Sequence, residues 1–232
     1  QGDSTSLPSD QIHHLALGPE GKIWIGTYDA GLAVLDPATN KVERLHFHGQ
    51  EGRDLSKSSI GRIVFTDSVV WAAAGNAGLF FVDLRSRKTG VLDLSEDLGI
   101  DQLSILEVMV EGGDLWLGLN GYGLACYRPG EGVLKHLMVE DFHSYRHYNY
   151  PRVLLPAGGP WIWVGTKESY LHKVNTETGD AVIYDYKQDA VLHHATINDL
   201  LLQGKDSLWL ATGVGGLQLL HIPEGRLEML VR

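Results

Sequence analysis

The chain has 232 residues, 44% of them hydrophobic and 21% charged, which is ordinary for a globular protein and enough for a sizeable core. Its formal net charge of -10 argues against a nucleic-acid partner, because phosphate recognition needs a basic surface, and no apolar run approaches the roughly 18 residues of a membrane span. The single cysteine, Cys126, excludes an internal disulfide and any cysteine-based metal cluster.

The polar segment Gln1 to Ser6 supplies no strand signal, and a chain that opens on Gln1 reads as a product of signal cleavage or as an excised segment. Four short strands follow, written a to d, each marked by alternation and by β-branched or aromatic residues. Ile12 to Leu17 reads as a, Lys22 to Thr27 as b, Gly31 to Leu35 as c and Lys41 to Phe47 as d. Turn signals separate them at Pro19-Glu20-Gly21, Tyr28 to Gly31 and Pro37 to Asn40. The same order recurs, with strand a expected at Ile60 to Phe65, Ile105 to Val110, Arg152 to Leu155 and Ile197 to Leu202.

The recurrence has a period. Trp24, Trp71, Trp116, Trp163 and Trp209 are separated by 47, 45, 47 and 46 residues, and the residue eight places after each is leucine: Leu32, Leu79, Leu124, Leu171 and Leu217. A repeat of this length built from short strands and glycine turns predicts propeller blades. The expected fold is therefore all-β, a β-propeller of five four-stranded antiparallel blades of about 46 residues each. The blades fall at about 7–50, 51–98, 99–143, 144–190 and 191–232 of a single 1–232 domain, either a short closed ring or part of a longer array. No closing latch is visible, so ring closure would rest on the fifth blade packing against the first. A blade is apolar on both faces and must be sandwiched between neighbours. The tryptophans supply that packing, and the small residues two places after them (Gly26, Ala73, Gly118, Gly165, Ala211) admit the adjacent sheet. Cys126 reads as a small packed strand residue.

Leu7-Pro8-Ser9-Asp10-Gln11-Ile12, Gly21 to Thr27 and Gly31 to Asp36 together resemble the two-component regulator propeller repeat. The resemblance runs once per blade and is strongest in the first. The Gly-Thr pair becomes Ala73-Ala74 in the second blade and Gly118-Leu119 in the third, and Tyr170 stands in the fourth where the others have glycine. It implies a periplasmic or otherwise extracytoplasmic sensor region of a hybrid histidine kinase, a family in which many members recognise glycans. The neighbours it implies are signalling domains or a protein partner.

On such a scaffold the variable parts are the b-to-c turns and the d-to-a connections, which share one face around the channel. The turns carry Tyr28, Asp29, Asn76, Asn120, Tyr122, Lys167, Glu168 and Tyr170, a set suited to hydrogen bonding and stacking with sugar rings or another small polar ligand. The connection from Phe142 to Tyr150 adds His143, Tyr145, Arg146 and Tyr148; its alternative role is structural cover. His14, Arg62, Glu107, Arg152 and Asp199 occupy comparable places at the start of strand a, where they can hold a ligand or satisfy one another. Adjacent histidines in a strand face opposite ways, and His46 with His48 lacks a third ligand nearby, so no metal site is expected. No catalytic motif is present and no cofactor is implied. The expected function is ligand sensing or binding without catalysis. The alternatives are a protein-interaction propeller, with an exposed apolar patch, and a propeller lyase or hydrolase, with His143 or His194 as general acid or base.

Overall fold

The computed structural model describes residues 6–48, 52, 54–138, 148–167, 170–184 and 196–229. Twenty strands form five four-stranded sheets, each running a to d in chain order, so the chain is an all-β propeller of five blades. The first blade holds β1 (Ile12–Leu17), β2 (Ile23–Thr27), β3 (Leu32–Asp36) and β4 (Lys41–Arg44). The second holds β5 (Ile63–Phe65), β6 (Val69–Ala73), β7 (Leu79–Asp83) and β8 (Thr89–Leu92), followed by a one-turn helix, Ser95–Leu98. The third holds β9 (Ile105–Glu111), β10 (Asp114–Leu119), β11 (Gly123–Arg128) and β12 (Gly132–Leu137). The fourth holds β13 (Pro151–Gly158), β14 (Trp161–Thr166), β15 (Leu171–Asn175) and β16 (Ala181–Tyr184). The fifth holds β17 (Ile197–Gln203), β18 (Ser207–Thr212), β19 (Gly216–His221) and β20 (Arg226–Met229). The described residues contain no helix long and apolar enough to cross a membrane.

Several boundaries differ from expectation, among them β13, which runs Pro151–Gly158 where Arg152 to Leu155 was expected, and the ends of β4 and β5. β5 starts at Ile63 and not Ile60, whose N–H donates to the Thr27 carbonyl of the first blade at 2.9 Å. β4 stops at Arg44, and Phe47 turns inward to stack on Phe80 of the second blade, with ring centroids 4.2 Å apart.

The chain divides into two compact units, Gln1–Leu115 with Arg128–Val133, and Trp116–Tyr127 with Leu134–Arg232. In the first, Trp24, Leu32 and Val34 pack with Ile60, Ile63, Val70 and Phe80 of the next blade. In the second, Trp163 and Leu171 pack with Ile197, Leu200, Leu208, Leu210 and Leu220. The glycines two places after these tryptophans allow the approach. A Cβ on Gly26 would lie 2.7 Å from Ile60 Cγ2, and one on Gly165 would lie 2.7 Å from Ile197 Cγ2, both too close for real carbon contacts. The repeated tryptophans and glycines are thus two halves of one blade-to-blade contact.

In the first, second and fourth blades the last residue of the repeated phrase sets the c-to-d turn. The Asp36 carboxylate accepts from the Ala38 N–H, Asp83 from Arg85 and Ser86, and the Asn175 side chain from Glu177 and Thr178. These bonds hold the Asp36 and Asp83 carboxyls below their ordinary value.

Candidate functional site

In the first unit the strand register brings the start of strand a beside the b-to-c turn. Ile12 pairs with Thr27, His14 with Gly26, and the Tyr28 N–H donates to the Gln11 carbonyl at 2.9 Å. A buried hydroxyl clamps the turn itself: Thr27 Oγ1 donates to the Gly31 carbonyl and accepts from the Ala30 N–H, each at 2.9 Å. The clamped turn holds Asp29 and a Tyr28 side chain in solvent, Tyr28 being 61% exposed, with its ring edge-on to His13 at 6.3 Å. Asn76 is exposed on the equivalent turn of the second blade, where Ala74 has no hydroxyl and backbone bonds among Ala74, Gly75 and Gly78 close the loop.

Below these turns three of the expected strand-a residues come together, one from each of the first three blades. Arg62 Nε donates to Glu107 Oε1 at 2.8 Å, while Arg62 Nη1 lies 3.2 Å from His14 Nε2. Glu107 is 4% exposed, and its Oε1 also accepts from the Val108 N–H. A buried carboxylate of this kind needs a charged partner and hydrogen bonds, and both are present. His14, Arg62 and Glu107 therefore satisfy one another across blade boundaries.

Arg152 does not share their register. Pro151 pairs with Thr166 and Val153 with Gly165, so Val153 takes the place of His14 and Arg152 falls on the irregularity between them. Asp199, paired with Ala211, does occupy the His14 place and is exposed. Among the turns of the second unit, Asn120 and Lys167 are exposed, while Tyr122 and Tyr170 are half-buried. The Tyr122 carbonyl lies 2.7 Å from His136 Nε2, and the Lys167 carbonyl accepts from Thr196 Oγ1. Thr166 repeats the hydroxyl clamp, donating to the Tyr170 carbonyl and accepting from its N–H.

Tyr148 is a packing residue and not a mouth residue. It is 3% exposed, donates its hydroxyl to the Gly179 carbonyl at 3.0 Å and meets His172 edge-on. Burial pushes its phenol above the ordinary value, with the Asp180 charge adding to the effect. Glu168, His143, Tyr145 and Arg146 lie outside the described residues.

One feature was not foreseen from sequence. At the a-to-b turn end of the second and third blades a cleft of about 750 Å3 is lined by Thr66, Asp67, Ser68, Trp71, Asp114 and Arg128, among others. Arg128 forms a bidentate pair with Asp114, through Nε at 2.6 Å and Nη2 at 2.9 Å, which raises its already high pKa further. The signal was Arg128 itself, which stands where Asp36, Asp83 and Asn175 close the phrase in other blades. No cluster of three or more His, Cys, Asp or Glu is gathered among the described residues in a way that could hold a metal ion.

Residues 6–29 match the family described as Two component regulator propeller. Solved structures similar to the chain include the extracellular domains of two hybrid two component systems of B. thetaiotaomicron, BT3049 and BT4673. The first has a TM-score of 0.75 at 17% identity, covering 98% of this chain and 29% of that one. The second has a TM-score of 0.74 at 19% identity, covering 99% and 31%. The computationally designed Ika8 protein is also similar, with a TM-score of 0.60 at 14% identity over 93% of this chain and 59% of that one. At these identities the likeness establishes the fold, and the chain spans under a third of the length of the two extracellular domains. No curated protein matches the chain.

Proposed function

We propose that this chain is a ligand-binding part of an extracytoplasmic, periplasmic sensor region of a two-component signalling system. Its ligand is a small polar molecule, an oligosaccharide by chemistry, met at the end of the blades where the b-to-c turns emerge. The observation that carries the reading is Tyr28, an aromatic ring held 61% exposed on a turn clamped by the buried Thr27 hydroxyl. An exposed ring on a rigid turn loses little entropy when a sugar face stacks on it. Asp29 and Asn76 supply hydrogen-bonding groups on the same kind of turn. The match over residues 6–29 and the likeness to extracellular domains of hybrid two component systems support the placement.

The test is calorimetric titration and thermal shift against a panel of neutral and acidic oligosaccharides, with Tyr28→Ala, Tyr28→Phe and Asn76→Ala. A binding sugar should lose at least about tenfold in affinity with Tyr28→Ala, the worth of about one stacking contact, and keep most of it with Tyr28→Phe. Binding that is indifferent to all three substitutions would remove this mouth from consideration.

A further inference from the structure

The cleft beside Arg128 marks a place where the repeat leaves out a ring. All of its lining residues belong to the first compact unit. The same place between the first and second blades holds only about 110 Å3, against about 750 Å3 here. Trp24 and Leu84 line the smaller opening where Trp71 and Pro129 line the larger, Leu84 and Pro129 each standing 13 residues after a repeated Trp. The difference arises six residues before the tryptophan of the following blade. There Phe65 lies edge-on to Trp24 with ring centroids 6.0 Å apart, whereas the third blade brings only Val110 to the side of Trp71. The next turn widens the gap. Gly112 and Gly113 stand where the second blade has Asp67 and Ser68, and a Cβ on either would meet nothing within 4 Å.

The walls are partly apolar and carry net negative charge. Trp71 enters the cleft with its indole N–H already used, donating to Thr66 Oγ1 at 3.3 Å, while Thr66 Oγ1 donates to the Val69 carbonyl at 3.1 Å. Arg128 is the one cation among the lining residues described. Both oxygens of Asp114 hold it, and Glu131 Oε2 lies 3.4 Å from its Nη1. Asp67 is exposed on the second-blade side, and among the described residues its carboxylate makes no hydrogen bond or ion pair. A cavity that lacks a ring and offers an uncompensated carboxylate suits an aromatic cation: burial of the ring gives affinity, and the charge pair gives orientation.

We infer that this cleft is a second binding site, for a small aromatic amine. The ring lies against Trp71 and Val110 in the place that Phe65 takes over Trp24, and the ammonium group donates to Asp67. Arg128 and Asp114 do not carry the charge recognition; their bidentate pair fixes the far wall. The a-to-b turns stand at the opposite end of each blade from the b-to-c turns that present Tyr28 and Asn76, because successive antiparallel strands turn at alternate ends. The inference is therefore independent of the oligosaccharide reading.

The test is calorimetric titration of the chain with phenethylamine, beside butylamine, which has the charge without the ring, and hydrocinnamate, which has the ring with the opposite charge. Phenethylamine should bind at least about tenfold more tightly than either. Asp67→Asn should weaken it by about tenfold, the scale of one hydrogen bond to a charged group. Asp101→Asn, the same change at an exposed acid outside the cleft, should leave it unchanged. Val110→Phe supplies the ring from within and should abolish binding. Asp67→Asn alters only an exposed side chain, so it decides the matter even where Val110→Phe disturbs folding. No binding at about 10 mM phenethylamine, equal binding of the three compounds, or equal effects of Asp67→Asn and Asp101→Asn would each overturn the inference.

Discussion

Gly26→Ala tests the blade-to-blade contact most directly. The new methyl carbon would lie 2.7 Å from Ile60 Cγ2, 3.0 Å from Ile60 Cβ and 3.4 Å from the Ile60 carbonyl oxygen. Ile60 is fully buried, and its β-branched side chain has little freedom to move away, because Cγ2 is one bond from the Cβ that is itself in contact. The two blades must separate by several tenths of an ångström, an overpacking that costs about 1–3 kcal/mol. For a chain of this size that lowers Tm by roughly 2–4 °C per kcal/mol. The two positions should also be coupled. Ile60→Ala alone should cost about 2–5 kcal/mol through the cavity it leaves. In Gly26→Ala/Ile60→Ala the added methyl occupies part of that cavity, so the double variant should be more stable than the sum of the single ones by at least about 1 kcal/mol. Urea unfolding followed by tryptophan fluorescence measures all four proteins. An additive cycle, or a Gly26→Ala variant as stable as the parent, would show that the repeated small residue does not serve close approach.

Two further outcomes follow from the described bonds. Arg62→Met, which keeps the apolar stem and removes the charge from beside buried Glu107, should destabilise by about 1.5–3 kcal/mol in urea unfolding; Arg62→Met/Glu107→Gln should recover part of this. The raised phenol of Tyr148 contributes stability that is complete below its ordinary pKa and is lost as pH rises through the higher folded value, since the unfolded chain ionises first. Tyr148→Phe should therefore flatten the loss of stability that sets in above roughly pH 10, at a cost near neutrality of about 1 kcal/mol for the bond to Gly179. Tyr184, also raised by burial, should account for the alkaline loss that remains in Tyr148→Phe, and a pH profile unchanged by both Phe replacements would contradict the assignment.

The five blades were legible because their packing demands recur: a large ring, a small residue two places on and a leucine six places after that. Those needs hold wherever one sheet lies on the next. The register at the start of strand a was legible in the spacing too, since His14, Val153 and Asp199 each stand ten residues before a repeated tryptophan, and following the charges instead missed it by one residue. β1, β13 and β17 each have an irregular register at their start, and aligning the blades on charged residues placed Arg152 opposite His14, where pairing puts Val153. Tyr148 misled in another way, since a tyrosine in an aromatic, polar stretch looks like a ligand contact until its hydroxyl is found bonded to Gly179. The cleft beside Arg128 was hidden because its walls come from turns of two blades far apart in sequence.

These observations divide the polar residues of the first three blades into two groups with different duties. His14, Arg62 and Glu107 are engaged with one another, so a ligand that displaced Arg62 or Glu107 would have to break a charge pair whose carboxylate is buried. Tyr28, Asp29 and Asn76 stand on turns whose geometry is already fixed from below by Thr27 or by glycine backbone bonds, and their side chains are exposed. Replacing the turn side chains changes no bond that holds the blades together, whereas replacing the strand-a charges changes how three blades meet. Specificity can therefore vary at the turns without loss of the scaffold, which is why those positions differ from blade to blade while the tryptophan spacing hardly changes.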